Sequence, residues 1–165
     1  MNLQRGKKMR LQLISELDEF VSFVESLDNV KDEIWFSPLG EGKWRIHDVI
    51  THIMKWDDYF NNVTFPNLSK SKSPELREHP DYLGFNEQSI IYGEGRNKKE
   101  IIEETIKNRQ IMINNLMKLE DNQFSVVYPG DRGFTIGTYL TEFFISHESY
   151  HMKQIQDFLI TKQIM

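Results

Sequence analysis

The stretch Ser146-His147-Glu148-Ser149-Tyr150-His151 lies late in the last strongly apolar segment of the chain and carries two histidines four residues apart. In a helix, two such imidazoles lie one turn apart on the same face and can reach the same small volume. The segment is predicted to be helical, because its apolar residues and histidines recur at spacings of three and four: Leu140, Phe144, His147, His151, Ile155 and Phe158. Since a buried imidazole needs a polar partner, the pair suggests one shared metal cation.

A third ligand is expected, because two nitrogens are too few for a protein metal site. Among the five histidines of the chain, His52 is the strongest candidate, since it shares a predicted helical face with Val49, Ile53, Trp56 and Phe60. His47 is five residues away and points off that face, while His79 lies in a polar stretch beside Pro80 that is typical of a loop. The predicted metal ligands are therefore His52, His147 and His151.

Four amphipathic helical segments and no alternating strand pattern predict an all-α four-helix bundle. The first segment covers roughly residues 8–27, and the second runs from near Arg45 to about Asn61. The third follows Asn97, a candidate N-cap, and runs to about Glu120; the fourth follows Thr135, also a candidate N-cap. At 165 residues the chain is expected to form one domain, residues 1–165.

The connection between the second and third helices is long and irregular. From about Asn62 to Asn97 it carries three prolines and three glycines, which exclude a simple tight turn, although Asn86 to Tyr92 is predicted to form a short helix. A connection of this length can run along the bundle, so the second and third helices are permitted to be parallel. Its aromatic residues, Tyr82, Phe85 and Tyr92, could cover one end of the bundle.

Composition excludes several classes of protein. The net charge of -5 without a basic stripe argues against nucleic-acid binding, and no apolar run has membrane-spanning length. The absence of cysteine excludes disulfides, thiolate ligands and a cysteine nucleophile, and it fits a reducing cytoplasm, which is the expected location. A thiol used in any reaction would have to be an external, low-molecular-weight one.

Two segments in the right order resemble the DinB-like family, including its YfiT-like and DfsB-type branches. The run from Lys43 to His52 is similar to the start of that family's second helix, with a tryptophan, a capped turn, an acidic residue and the metal histidine. Phe85-Asn86-Glu87 followed by residues 98–102 resembles the approach to its third helix, and residues 147–155 resemble its closing H-x-x-x-H-x-x-x-I signature. Arg45 is a departure, since the family usually has serine or threonine there.

The resemblance implies a four-helix bundle that holds a divalent metal, nickel, zinc, iron or manganese, on His52, His147 and His151, often in a homodimer. It leaves the reaction open, because the family includes thiol S-transferases, a thiol-dependent isomerase, a cyclopropane hydrolase and DNA-damage-induced proteins.

Other side chains are candidates for supporting roles, each with a simpler alternative. Asp48 could orient His52 or only favour the helix N-terminus, and Glu148 could orient His151 or be a surface charge. Trp56 and Tyr150 are candidate pocket walls or core residues. Arg109 could reach an anionic substrate or Glu142, or lie solvated on the flank of its helix.

Three imidazoles leave at least one coordination position open, which is typical of catalytic metal sites. The leading hypothesis is a metal-dependent thiol S-transferase, of the bacillithiol type, or a hydrolase that acts on small electrophilic compounds in stress or detoxification. The alternative is a non-enzymatic metal-binding bundle whose metal is structural, which closed coordination would favour. Direct action on DNA is disfavoured by the charge.

Overall fold

The computed structural model describes residues 2–69, 76, 81–129 and 132–163, and this part of the chain is built from helices without a β-strand. Two π-helical segments, Phe60–Thr64 and Thr141–Ile145, continue one helix into the next. None of the described helices is both long and apolar enough to cross a membrane. The α-helices are α1 (Asn2–Ser26), α2 (Asp32–Trp35), α3 (Ile46–Tyr59), α4 (Phe65–Ser69), α5 (Tyr82–Gly93), α6 (Lys98–Met117), α7 (Ile136–Leu140) and α8 (Ser146–Gln163).

The predicted all-α bundle is confirmed, and its four long helices are α1, α3 with α4, α6, and α7 with α8. The second of these extends further than the sequence predicted, because the π-helical segment carries it beyond Asn61 to Ser69. Short 3-10 helices follow α1 at Leu27–Asn29 and follow α6 at Asp121–Phe124.

Side-chain hydrogen bonds cap the helices at the N-termini that the sequence predicted. The Asn97 side chain accepts a hydrogen bond from the backbone N–H of Glu100 at 3.0 Å, and Thr135 accepts one from Thr138 at 3.0 Å. At the start of α3, the Asp48 carboxylate accepts from the backbone N–H of Arg45 at 2.9 Å and also from the Arg45 guanidinium. The carboxylate at the third helical position thus supplies one half of a capping box, although no serine or threonine is present at the N-cap.

Contacts between the long helices give their directions. Asp57 pairs with Arg109, and further along both helices Asn115 donates to Asn61, so α3 and α6 run parallel. Since parallel neighbours cannot be joined by a tight turn, the predicted long crossover connects them.

The first and last long helices, which contain α1 and α8, run antiparallel to α3 and α6. Arg10 near the start of α1 donates to the carbonyl of Leu119, just after α6, while Lys98 at the start of α6 donates to the carbonyl of Asp28. The helix that ends in α8 likewise runs antiparallel to the one that begins with α3. Phe144 packs against Phe60 at the far end of α3, with ring centroids 5.5 Å apart, whereas the later residues 147–151 contact the middle of α3. The bundle therefore runs up, down, down and up.

The described part of the crossover lies along the side of α3. Its helix α5 is longer than the predicted one and runs antiparallel to α3, since Gly93 contacts His47 while Phe85 packs on Trp56 at 4.3 Å. The aromatic residues of α5 therefore cover a side of the bundle, where the sequence suggested an end. His79 lies outside the described residues.

Among the described residues, the core forms two apolar clusters. One lies toward the start of α1 and is rich in aromatic rings, including Leu13, Leu17, Phe60, Phe124, Tyr139 and Phe144. The other lies toward the end of α1 and is mainly aliphatic, including Phe20, Val24, Ile50, Ile53, Ile101 and Ile155. The candidate metal ligands lie on α3 and α8, and the two long helices that contain α3 and α8 contribute residues to both clusters.

Candidate metal centre

Three histidines from two antiparallel helices converge on one point. The Nε2 atom of His147 lies 3.1 Å from Nε2 of His52 and 3.1 Å from Nε2 of His151. One candidate ligand nitrogen from each of the three residues lies within 4.8 Å of the others. His52 is 2% exposed and His151 is 9% exposed, so the cluster is largely withdrawn from solvent. The structure thus brings together the three histidines that the sequence selected.

The spacing of these nitrogens fits a shared metal ion. Nitrogens about 2.1 Å from one ion lie about 3.0 Å apart at octahedral angles and about 3.4 Å apart at tetrahedral angles. The observed 3.1 Å separations fall between these values. These residues could hold a divalent cation.

All three imidazoles are held in the neutral form that binds metals. Burial lowers the pKa of His52 to about 3, with a further contribution from repulsion by His147 and His151, while a side-chain contact with Asn86 opposes the shift. Burial, and repulsion by His151, lower the pKa of His147 to about 4. Burial also lowers the pKa of His151. At neutral pH the cluster therefore offers nitrogen lone pairs.

The orientation of His151 is set by a glutamine that sequence reasoning missed. Its Nδ1 atom lies 3.0 Å from Oε1 of Gln154, whose amide nitrogen donates to the Tyr150 hydroxyl at 3.0 Å. Because the glutamine oxygen can only accept, His151 carries its proton on Nδ1 and directs the lone pair of Nε2 at the cluster. The i, i+3 spacing of His151 and Gln154 on one helix was the signal that could have found this pair.

The two carboxylates suggested as partners of the ligands have other roles. Asp48 is 5% exposed and bonds to Arg45, so it holds the start of α3 instead of contacting His52. Glu148 is 2% exposed and forms an ion pair with Arg109 at 2.6 Å, so it is neither a surface charge nor the partner of His151. The structure thus agrees with the helix N-terminus alternative for Asp48 and corrects both alternatives for Glu148. In each case a nearby arginine offers the carboxylate a stronger partner than a neutral imidazole.

Arg109 is fully buried, which corrects both interpretations of it as a pocket residue and as a solvated flank residue. Its guanidinium pairs with Asp57 of α3 at 2.7 Å and with Glu148 of α8 at 2.6 Å, and it donates to the Leu17 carbonyl of α1 at 3.3 Å. It also lies over the ring of Phe20 at 4.5 Å. One side chain of α6 therefore connects all four helices of the bundle.

His47 is a structural histidine. Its Nδ1 atom accepts a hydrogen bond from the indole N–H of Trp35 at 2.9 Å, and its Nε2 atom lies 2.8 Å from the carbonyl oxygen of Gly93. Since that carbonyl can only accept, the imidazole donates through Nε2, and both nitrogens are satisfied. His47 joins α3 to the end of α5 and takes no part in the cluster.

A cavity of about 480 Å³ opens beside two of the histidines, His52 and His147. Its walls are mainly aromatic, and they are formed by Trp56, Tyr82, Tyr139, Phe143 and Phe144. Asn86 and Glu142 supply its other polar groups. Trp56 is thus a wall residue as predicted, whereas the residues lining this cavity do not include Tyr150, which is 61% exposed. The size and apolar lining are typical of sites for small molecules.

A comparison with family models covers most of the chain, including the site. A family model described as the DinB superfamily matches residues 12–155, a span that contains all three clustered histidines. The chain belongs to the DinB superfamily. Neither the curated proteins nor the solved structures contain a match to it.

Without metal, this DinB-superfamily protein is expected to become less stable as the pH falls from about 6.5 toward about 4, because its clustered histidines take up protons on unfolding. The pKa of His147 is about 4 in the fold and 6.5 as its reference, so the unfolded chain binds more protons in that range and acid favours unfolding. His147→Gln, which cannot titrate, should therefore show a smaller acid-induced loss. Urea denaturation of chelator-treated wild type and variant across this pH range measures the difference.

The comparison of wild type with His147→Gln also removes the contribution of Glu148, which has the opposite pH dependence. Burial raises the pKa of Glu148 to about 7, so between 4.5 and 7 the folded state binds the extra proton, and this group alone would stabilise the fold in acid. Glu148 is present in both proteins, so its effect should largely cancel. Equal pH dependence of wild type and His147→Gln would contradict a buried, neutral His147.

Proposed function

We propose that this protein is a metal-dependent enzyme that acts on small electrophilic compounds, as a thiol S-transferase or a hydrolase with a role in stress or detoxification. The observation that carries the proposal is the convergence of three imidazole nitrogens beside an open, mainly aromatic cavity. A substrate in that cavity would lie next to the face of the cluster that protein groups leave open. Membership of the DinB superfamily is consistent with this proposal.

The residues would divide the work between holding a metal and shaping the cavity. His52, His147 and His151 would hold a divalent ion, nickel, zinc, iron or manganese. Such an ion supplies Lewis acidity, which lowers the pKa of a water or thiol beside it toward neutrality. Gln154 fixes the orientation of His151, and the aromatic walls exclude water and position an apolar substrate. The chain contains no cysteine, so a thiol would come from a small-molecule cofactor.

The non-enzymatic alternative needs a closed coordination shell, and the structure gives it little support. Among the described residues, no further histidine or carboxylate joins the three histidines. Glu148, the candidate fourth ligand, is turned toward Arg109. An open position beside a cavity favours catalysis over a purely structural metal.

A conjugation assay tests the transferase form of the proposal. Metallated protein is expected to accelerate the reaction of monochlorobimane with bacillithiol, glutathione or coenzyme A above the uncatalysed rate, for at least one thiol. The acceleration should disappear in chelator-treated protein and in His151→Ala. The matched control is His47→Gln, since His47 is buried in α3 outside the cluster and should leave the rate unchanged if the protein folds.

The outcomes separate the candidate functions. If fully metallated protein accelerates no thiol conjugation but hydrolyses activated esters or amides in a metal-dependent way, the hydrolase is the function. If neither activity appears and metal removal only lowers the melting temperature, the structural-metal alternative replaces the proposal. The single domain, homodimer and cytoplasmic location stay predictions, and light scattering on purified protein tests the dimer.

A further inference from the structure

A guanidinium lies at the edge of the cavity, in contact with two of its lining residues, and this edge is called the mouth. Arg132 forms an ion pair with Glu142, a cavity residue, at 2.6 Å. The same guanidinium lies 5.0 Å from the ring centroid of Phe134 and 5.8 Å from that of Phe143, which also lines the cavity. A carboxylate beside aromatic faces is an environment that favours organic cations.

We propose that the cavity binds an apolar, preferably aromatic molecule that carries a cationic nitrogen, with Glu142 as the counter-ion at the mouth. The inference rests on the proposed function, because this molecule would be the electrophilic substrate. Its apolar body lies between the aromatic walls, and its reacting centre lies toward His52 and His147. The cationic end takes the position that the Arg132 guanidinium occupies.

Glu142 and His147 lie on one continuous helical stretch and line the same cavity. The two residues are five positions apart, so along an ordinary helix they would be separated by roughly 7 Å and would point about 140° apart. The π-helical segment Thr141–Ile145 lies between them, and both residues line one cavity. One ligand can therefore contact Glu142 with its cationic nitrogen and place its reacting centre beside His147.

The ion pair at the mouth can be exchanged for a ligand. The side chains of Arg132 and Glu142 are 49% and 45% exposed, and ion pairs in such positions contribute little to stability. A ligand cation at this position would make the ion-pair and ring contacts that the guanidinium now makes, so the guanidinium is its competitor. The net charge of -5 also favours the approach of cations over anions.

The test uses three soluble ligands with the same phenylpropyl body: the trimethylammonium compound, the alcohol and the sulfonate. None has a strong metal-binding group. Isothermal titration calorimetry is carried out on protein as purified and after chelator treatment. We expect the ammonium compound to bind about fivefold more tightly than the alcohol, and the sulfonate to bind most weakly.

Two variants assign the preference to the mouth. Glu142→Gln is expected to bring the affinity for the ammonium compound down to that for the alcohol. Arg132→Gln is expected to raise the affinity for the ammonium compound, because it removes the competing cation. The matched control is Glu103→Gln, which makes the same charge change at an exposed pair with Lys99 and should leave all three affinities unchanged.

Three results would overturn the proposal: no binding of any ligand, equal affinities across the series, or tightest binding of the sulfonate with loss of that binding in Arg132→Gln. The last would show an anion site. Failure of the proposed function is distinguishable, because the order of affinities is measured with and without metal. Protein that binds no metal but keeps the order would refute the enzyme and leave the ligand class standing.

Discussion

Arg109→Met is expected to destabilise the protein by about 3–5 kcal/mol, because it leaves two buried carboxylates without their partner. Asp57 is fully buried and Glu148 nearly so, and in each the ion pair with Arg109 is the principal compensation for the loss of solvent. Methionine fills much of the volume of the arginine stem, so the loss of the charge should dominate the effect. Urea denaturation with the metal removed measures the free energy of unfolding.

The control for this prediction is Arg132→Met, which makes the same replacement at an exposed arginine paired with Glu142. It should cost about 1 kcal/mol or less. Adding Asp57→Asn and Glu148→Gln to Arg109→Met should recover part of the lost stability, since the stranded charges are then gone. Equal effects of the two arginine substitutions would show that the buried network contributes no more than a surface pair.

His147→Ala is expected to reduce bound metal from near one ion per chain to near none. Its Nε2 atom is the central one of the three, since it lies 3.1 Å from the Nε2 atoms of both His52 and His151. Removing it leaves two nitrogens, one from each helix, which is too few for a stable site. The measurement is elemental analysis by mass spectrometry on protein purified without a histidine tag.

His52→Ala and His151→Ala should lose the metal as well, whereas His47→Gln should keep it. His47 is buried like the ligands, so it controls for the general effect of replacing an interior histidine. Its hydrogen bonds to Trp35 and Gly93 account for both of its ring nitrogens. Full metal occupancy in His147→Ala would show that the three histidines do not form the site.

Local patterns in the sequence sufficed for the helices and for the three candidate ligands. The caps at Asn97 and Thr135 depend on a partner three residues away, which the sequence displays directly. The three histidines were found because each lies on the apolar stripe of its helix, and such stripes face a common interior. The family resemblance rested on the same segments, and the DinB superfamily match covers them.

The partners of the charged residues could not be predicted in this way. Asp57 and Arg109 are 52 positions apart in the chain, and Leu17 is 92 positions from Arg109. Sequence alone treats a lone arginine on a helix as solvated, because a buried charge is unfavourable unless a partner is present. That partner is in place only once the helices are packed. The same arginine pairs with Glu148, for which the sequence had left open a role beside His151 or a position on the surface.

The sequence by itself thus determined the four helices, their caps and the three candidate ligands, since these depend on residues within about one helical turn. It also indicated the long crossover, through the prolines and glycines between the second and third helices. The tertiary structure decided which residues line the cavity, because the π-helical segment Thr141–Ile145 departs from the regular helical repeat and Glu142 lines the same cavity as His147. It also decided the buried network around Arg109. The cavity lining and the buried network both depend on which helix faces contact one another when the bundle packs. Those contacts are a property of the whole chain.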